Sequence, residues 1–262
     1  MDIPRVNILG VGISALNMDT AVAAIDEFVA SGDSHYVCVS AVHNVMEAQI
    51  HPELRDVYNN SALMLPEGMP LVWLSKLRSQ STVGRVGGPD FLVTVCEKSV
   101  RKGYRHFLYG GPPGVAEELA ANLQDRFPGI QIVGTHSPPF RPLPLEDDPE
   151  EVRMINAAEP DIVWVALGVP KQDRWMAARV GKLTAPVLIG VGYAFDVHSG
   201  RKGQAPRWMH GLALEWLFRL IHEPRRLAYR YLVYNSLFVL LILLDFLGIR
   251  RYKMEPAGKH QQ

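Results

Sequence analysis

Several segments of this 262-residue chain place a charged or amide side chain beside turn-forming glycine or proline. In LMLPEGMPLVWL, Glu67 sits between Pro66 and Gly68 in otherwise apolar surroundings. A carboxylate so placed suits a general base near neutral pH, although this segment alone reads more readily as a solvated turn acid. HFLYGGPPGVAEEL has the form strand, glycine turn, helix. Gly110, Gly111 and Gly114 permit close backbone approach, and the helix start offers N–H groups to an anion. The alternative is an ordinary tight connection, because neither the dinucleotide fingerprint nor a Walker loop is present. WVALGVPKQDRW carries Gly168, Pro170, Lys171, Gln172 and Asp173. Its lysine suits a phosphate and its glutamine a sugar or base, against the plain reading of a helix start. Arg85 in GRVGGPD and Asp196 in GYAFDVHSG are a cation and an acid beside glycine turns. His43, His136 and His198 lack metal-ligand spacing, and Cys38 and Cys96 are the only cysteines. No metal site, redox pair, cofactor motif or serine elbow is therefore expected.

The elements that must position these residues are short apolar runs: His35 to Ser40, His106 to Gly111, Ile130 to Gly134, Asp161 to Gly168 and Pro186 to Gly192. Each is rich in β-branched or aromatic residues and bounded by breakers, which predicts buried strands. Between them, Val115, Leu119, Leu123 and Phe127 recur every four residues before Pro128-Gly129. Val152, Ile155 and Ala158 form a second helical face. Alternating strands and helices predict an α/β fold, a mostly parallel Rossmann-like sheet with helices on both faces and ligands beyond the strands' carboxyl ends. The proline-rich, acidic stretch Ser137 to Glu150 reads as a surface loop, with helix resuming near Pro149. With 48% hydrophobic residues and zero net charge, the chain is no disordered tail. The two cysteines fit a reducing compartment, and the opening MDIPRVNILG shows no secretory signal.

Zero net charge conceals an asymmetry. From Ser199 onward there are eleven Lys and Arg against four acids, a net of +7, so the first 198 residues carry −7. A division follows into a core, 1–199, and a helical, basic and apolar C-terminal appendage, 200–262. Such a basic quarter suits an anionic partner such as phosphate or a lipid surface. Nucleic acid fits poorly, because apolar sequence brackets the cations. The run Leu232 to Ile249 would extend ~27 Å as a helix. It reads first as an interfacial membrane anchor, next as a buried core helix, and last as a full span.

Taken together, these segments resemble the WecG/TagA/CpsF glycosyltransferase family. The resemblance rests on Pro66-Glu67-Gly68-Met69-Pro70, Arg85-Val86-Gly87-Gly88, Gly110-Gly111-Pro112-Pro113-Gly114 and Gly168-Val169-Pro170-Lys171-Gln172-Asp173. It continues through Gly192-Tyr193-Ala194-Phe195-Asp196, Ala205-Pro206-Arg207-Trp208, Glu215-Trp216, Arg219-Leu220 and Glu223-Pro224-Arg225-Arg226. The resemblance implies an inverting, metal-independent transfer from a UDP-sugar donor to a polyprenyl-diphosphate-linked glycan at the cytoplasmic face of the plasma membrane, for cell-surface polysaccharide. It also implies an appendage that completes the active site, and homo-oligomers occur among relatives. The family's base position falls on Glu67, where relatives usually carry Asp. Ser40 stands where relatives have a substrate-contacting Thr, but no matching Asn is evident, with His43 and Asn44 the nearest candidates. Arg85, Arg219, Arg226 and Arg230 are the candidates to meet charge on the leaving UDP, although lipid headgroups suit the appendage arginines as well. The competing reading is a catalytically impaired, membrane-tethered nucleotide-sugar-binding protein, marked by the Glu for Asp change. A nicotinamide oxidoreductase is disfavoured, because its fingerprint is missing.

Overall fold

The computed structural model describes residues 2–78, 82–139, 148–206, 209 and 214–254; within these, the side chains of Glu215, Arg226 and Arg230 lie outside the description. The chain opens with strands β1 (Arg5–Ile8) and β2 (Val11–Ser14), then α1 (Met18–Ser31), β3 (His35–Ser40), α2 (Val42–Ile50) and α3 (Pro52–Asn60). Next come β4 (Leu63–Pro66), α4 (Met69–Arg78), α5 (Gly88–Ser99), β5 (Arg105–Gly110), α6 (Val115–Arg126) and β6 (Gln131–His136). They are followed by α7 (Pro149–Ala157), β7 (Ile162–Ala166), α8 (Lys171–Arg179), β8 (Val187–Gly190) and α9 (Ala194–His198). The C-terminal part holds α10 (Glu215–His222), α11 (Pro224–Tyr229), a π-helical turn (Arg230–Tyr234) and α12 (Asn235–Phe246).

Six strands form one parallel sheet in the order β4-β3-β8-β7-β5-β6. The expected α/β, Rossmann-like architecture is thus observed. The strands formed first, β3 and β5, each have their successor on the outside, and β7 and β8 fill the gap between them. A crevice therefore opens over the centre of the sheet. Helices cover both faces, so central strands are buried throughout; all five residues of β7 are. Period-two alternation divides the core. Val37, Val39, Leu108, Trp164 and Ile189 face the layer holding α1, α5, α6 and α9. Tyr36, Cys38, Tyr109, Val163 and Leu188 face the layer holding α2, α3 and α8.

Local signals explain the boundaries. Asn17 Oδ1 accepts the Thr20 N–H (3.0 Å) at the start of α1, and Gly32 closes that helix with φ +73°. Asp148 caps α7 just ahead of Pro149, where a helix is expected. The hairpin β1–β2 and the four-residue β4 are additions to the expected strands. The hairpin turn is Leu9-Gly10, both at positive φ, in place of the usual Asn-Gly. Arg5 clamps the hairpin to the end of α3 by donating to the carbonyls of Tyr58 (3.1 Å), Asn59 (3.2 Å) and Ser61.

The C-terminal helices return to this hairpin layer. Phe238, Leu241 and Ile242 of α12 are buried in the same core as Ile8, Val45 and Tyr58. Beyond α12, Asn7 Nδ2 donates to the carbonyl of Tyr252 at 2.6 Å.

Candidate active site

A cavity of about 440 Å³ opens above the carboxyl ends of β3, β4, β5, β7 and β8, a size usual for small-molecule sites. The residues that follow each strand supply its floor and near wall: Ala41 to Asn44, Glu67 to Pro70, Gly111, Gly168 and Gly192. Trp216, Arg219, Tyr231, Tyr234 and Asn235 close the far side. Residues of the expected core and the expected appendage thus share one cavity.

Backbone hydrogen bonds place Glu67. The carbonyl of Ser40, at the end of β3, accepts the N–H groups of Glu67 (2.9 Å) and Gly68 (3.2 Å), fixing the turn after β4. Glu67 Oε1 accepts the N–H of Gly88 at 2.9 Å, at the first residue of α5. A helix start presents orphan N–H groups and a partial positive charge, so it is a natural seat for a carboxylate. The apolar neighbours in sequence are therefore not the partners of this carboxylate. A side chain on Gly88 would crowd the Val191 carbonyl at 3.2 Å, so the bare backbone lets α5 start this close to the cavity.

Arg85 lies on the wall between these elements. Its guanidinium folds over Gly87, and Nη1 donates to Asp90 Oδ2 at 3.0 Å, the Arg85 side chain being mostly buried and Asp90 partly exposed. Arg219 comes from α10 and lies over the Tyr193 ring, 4.5 Å from its centroid. Lys202 binds Asp196 and Glu223, at 2.9 Å each, tying the loop after α9 to the end of α10.

Gln172, in the first turn of α8, forms part of the floor and is buried. Among the described residues, its Oε1 has no hydrogen-bond partner. Glycine at 190 leaves room for it, since a Cβ there would lie 2.9 Å from Gln172 Nε2. Beneath it, Asp173 is fully enclosed, and Tyr58 donates to its Oδ2 at 3.2 Å. Burial raises the Asp173 pKa to about 7, partly opposed by the neighbouring Cys38 and Tyr58.

The cavity gathers Glu67, Gly68, Arg85, Gly111, Gly168, Gln172, Asp196 and Arg219 from the expected site. Ser40, Gly110, Gly114, Pro170 and Lys171 are not among its lining residues. Ser40 has its hydroxyl buried, and its carbonyl is what serves the site. Gly110, at φ +112°, stands where a Cβ would strike the Ala166 carbonyl at 2.6 Å, so its glycine serves strand packing. Gly114 lies under the Arg201 guanidinium, which pairs with Glu118 at 2.7 Å. The Gly111 N–H is taken by the Ala166 carbonyl at 2.8 Å. Pro170 and Lys171 begin α8 without lining the cavity. The side chains of Arg226 and Arg230, with all of Arg207 and Trp208, lie outside the described residues.

Sequence reasoning missed the aromatic wall of Tyr193, Trp216, Tyr231 and Tyr234. The rings of Trp216 and Tyr231 meet edge to face at 5.8 Å, and Tyr234 stacks on His43 at 5.5 Å. Their signal was the two short motifs around Tyr193 and Trp216. Asn44 also lines the cavity and accepts the Ala41 N–H at 3.0 Å, which puts an amide near where the resemblance requires one. Among the described residues, no three His, Cys, Asp or Glu side chains converge as metal ligands.

The chain is similar to two curated proteins, both called N-acetylglucosaminyldiphosphoundecaprenol N-acetyl-beta-D-mannosaminyltransferase. The protein of Bacillus spizizenii is 33% identical over 180 residues, covering 69% of this chain and 68% of the relative. That of Bacillus subtilis strain 168 is 34% identical over 171 residues, 65% of each. The matches thus span about two thirds of the relatives' length. The sequence model of the Glycosyl transferase WecG/TagA/CpsF family matches residues 6–252, from β1 to just beyond α12, and the chain belongs to that family.

Proposed function

We propose that this protein transfers a hexosyl or N-acetylhexosaminyl group from a UDP-sugar to a polyprenyl-diphosphate-linked saccharide, with inversion and without a metal, at the cytoplasmic face of the membrane. The observation that carries this reading is the cavity itself. It sets the Glu67 carboxylate, on a helix start, opposite a wall that contributes Arg219 and aromatic rings. In a single displacement, the acceptor oxygen attacks the anomeric carbon while Glu67 takes its proton. The bond from that carbon to the β-phosphate oxygen breaks, and UDP leaves with the electron pair. At an α-linked donor this gives a β-linked product, the configuration that the relatives' names carry. One base suffices for such a step. Of the lining carboxylates, Glu67 is the one that the resemblance marks as the base, seated on the Gly88 N–H, while Asp196 is engaged by Lys202 at 2.9 Å. The charge on departing UDP falls to Arg85 and Arg219, with Arg226 and Arg230 as further candidates. Gln172 and Asn44 are left to hold the sugar or the base. The core, 1–199, would then carry the base and donor loops, and the appendage, 200–262, would complete the site.

The test is transfer of labelled N-acetylmannosamine from its UDP donor to N-acetylglucosaminyl-diphosphate-polyprenol, followed by extraction of the lipid product. Thermal stabilisation by UDP, UDP-sugars, GDP and NAD runs in parallel; at ~100-fold excess a true ligand adds ~2.7 kcal/mol. Lipid-linked product with chelator present, and stabilisation by uridine compounds alone, are the expected results. Stabilisation without turnover of any UDP-sugar would favour the impaired binder.

A further inference from the structure

We propose that helix α4 of the sheet domain and the outward side of α12 form one composite apolar face that docks on an anionic bilayer, with α12 lying along the interface and not crossing it. This rests on the reading of a lipid-linked acceptor and adds to it a contribution from the core itself.

The two helices share a frame. Met69 and Pro70, at the start of α4, line the cavity, as do Tyr234 and Asn235 at the start of α12. At their other ends, Arg78 Nη2 donates to Asp245 Oδ2 at 2.6 Å and the same guanidinium lies 5.0 Å from the centroid of Phe246. Both therefore run from the cavity mouth towards this junction. Trp73 and Leu77, one helical turn apart on α4, are 56% and 70% exposed. On α12 and its end, Val239, Leu243, Phe246 and Leu247 are each more than half exposed. Large side chains left open on two joined helices mark a surface that is covered in use.

Charge identifies the cover. Arg250, Arg251 and Lys253 follow α12 directly, in a quarter of the chain that carries +7. An isologous contact between two copies would set these cations against each other, whereas anionic headgroups would neutralise them. Tryptophan together with cations is the usual composition of a bilayer interface.

Length alone would permit a span, since the 20-residue helix Leu227–Phe246 contains an 18-residue window of mean hydropathy 1.7. Contacts along it argue otherwise. Tyr234 donates to Glu47 at 2.9 Å; Phe238, Leu241 and Ile242 are buried in the core; Asp245 holds Arg78; and the Tyr252 carbonyl holds Asn7. Crossing the bilayer would break all of these.

Cys38 and Cys96 are fully buried, so an introduced thiol can be labelled selectively in the full chain. An environment-sensitive fluorophore is placed at Leu77→Cys, Leu243→Cys and Leu247→Cys, with Gln124→Cys on α6, across the sheet, as control. Each protein is mixed with vesicles of phosphatidylcholine containing about one third phosphatidylglycerol. Expected are blue shifts and several-fold brightening at 77, 243 and 247 but not at 124, with Leu243 quenched more by headgroup-level than by mid-bilayer spin labels. The double variant Trp73→Ser, Leu77→Ser should partition about tenfold more weakly while keeping its stabilisation by UDP. Response at 247 without response at 77 would overturn the composite face. A concentration-dependent shift at 77 without vesicles would assign it to a second copy, and stronger mid-bilayer quenching at 243 would show a span. None of these readouts requires turnover, so failure here and failure of the glycosyl-transfer reading are distinguishable.

Discussion

The two walls of the cavity are held in different ways. On the sheet side, main-chain groups set the geometry: Ser40 accepts from Glu67 and Gly68, Pro66 accepts from Val86 at 2.9 Å, and Gly88 donates to Glu67. On the C-terminal side, side chains hold one another through the Trp216–Tyr231 ring contact, Arg219 over Tyr193, and Lys202 between Asp196 and Glu223. Peptide groups in a buried sheet have few alternatives, whereas a partly exposed ring or ion pair contributes at most ~1 kcal/mol. The difference teaches a division of labour. On the proposed mechanism, the step that tolerates least displacement, proton removal, would sit on the wall fixed by the backbone. Binding of the proposed lipid-linked substrate would fall to the wall that can adjust.

The strongest way to break this comparison is at Glu67. Glu67→Gln keeps the size and one acceptor oxygen for Gly88 but loses the base. Turnover should fall by about 10²–10⁴-fold, with thermal stabilisation by UDP retained. Glu67→Asp should recover part of the rate, since it keeps the carboxylate but moves it ~1 Å. If Glu67→Gln turns over normally, the backbone-fixed wall is not where the chemistry happens.

A second test asks what the rigid wall stands on. Asp173, directly after Gln172, has a pKa near 7 in the folded protein against ~3.9 unfolded. Between about pH 4 and 7 the native state keeps a proton that the unfolded chain releases. Its contribution to stability therefore falls as pH rises through that window and is level above it. His106 acts in the opposite sense. Buried between Ser99 (2.7 Å) and Trp164 (3.1 Å), it has its pKa lowered to about 4 by desolvation, so its contribution is lost as pH falls from ~6.5 to 4. The two contributions largely offset each other between about pH 4 and 6.5, leaving a net decline only as pH rises from about 6.5 to 7. Asp173→Asn removes the Asp173 decline and should raise the melting temperature at pH 8 relative to pH 5 by about 8 °C against the parent, as read by calorimetry. An unchanged pH profile would mean that Asp173 is ionised in both states.

How much of this was legible in the sequence depended on the length and composition of each element. Five strands stood out because β-branched runs such as Val163 to Val165 are hydrophobic at every position when helices cover both faces. The strand β4 did not, being four residues that end in Pro66 and merge with the turn bearing Glu67. The hairpin was hidden by its turn, for Leu9 at φ +52° breaks the usual preference for Asn or Gly. At the site, Glu67, Arg85, Gln172 and Asp196 could be found because each stands in a short motif with glycine or proline: in the turn after β4, in the loop before α5, and in the first turns of α8 and α9. Gly110 and Gly114 misled for a physical reason: a missing side chain signals close approach, but not of what. Here it is the Ala166 carbonyl and the Arg201 guanidinium that approach. Tyr231 and Tyr234 could not be placed at all, because only the packing of α12 on the hairpin layer brings the preceding π turn to the cavity.

The adjustable wall is tested next at Arg219. Arg219→Ala should lower kcat/KM about 30-fold, most of it in kcat if the guanidinium meets charge on departing UDP. Arg219→Lys should restore only part, since an ammonium keeps the charge but not the planar fork. An effect confined to KM would move Arg219 from the leaving group to ground-state binding.

The smallest effect should come from Trp216, and it sharpens the comparison most. Its ring lines the cavity yet is 42% exposed, and its visible partner is Tyr231, itself on the appendage. Its described ring contact is with Tyr231, whereas Glu67 is held by Ser40 and Gly88, so truncation should remove contact area without shifting the base. Trp216→Ala should raise KM for one substrate about fivefold, near 1 kcal/mol, with kcat within a factor of two, and Trp216→Phe should restore most of the loss. Titrating donor and acceptor separately identifies which substrate the ring covers. If kcat instead falls as far as it does in Glu67→Gln, the two walls act as one unit, and the position of the base depends on the appendage as much as on the sheet.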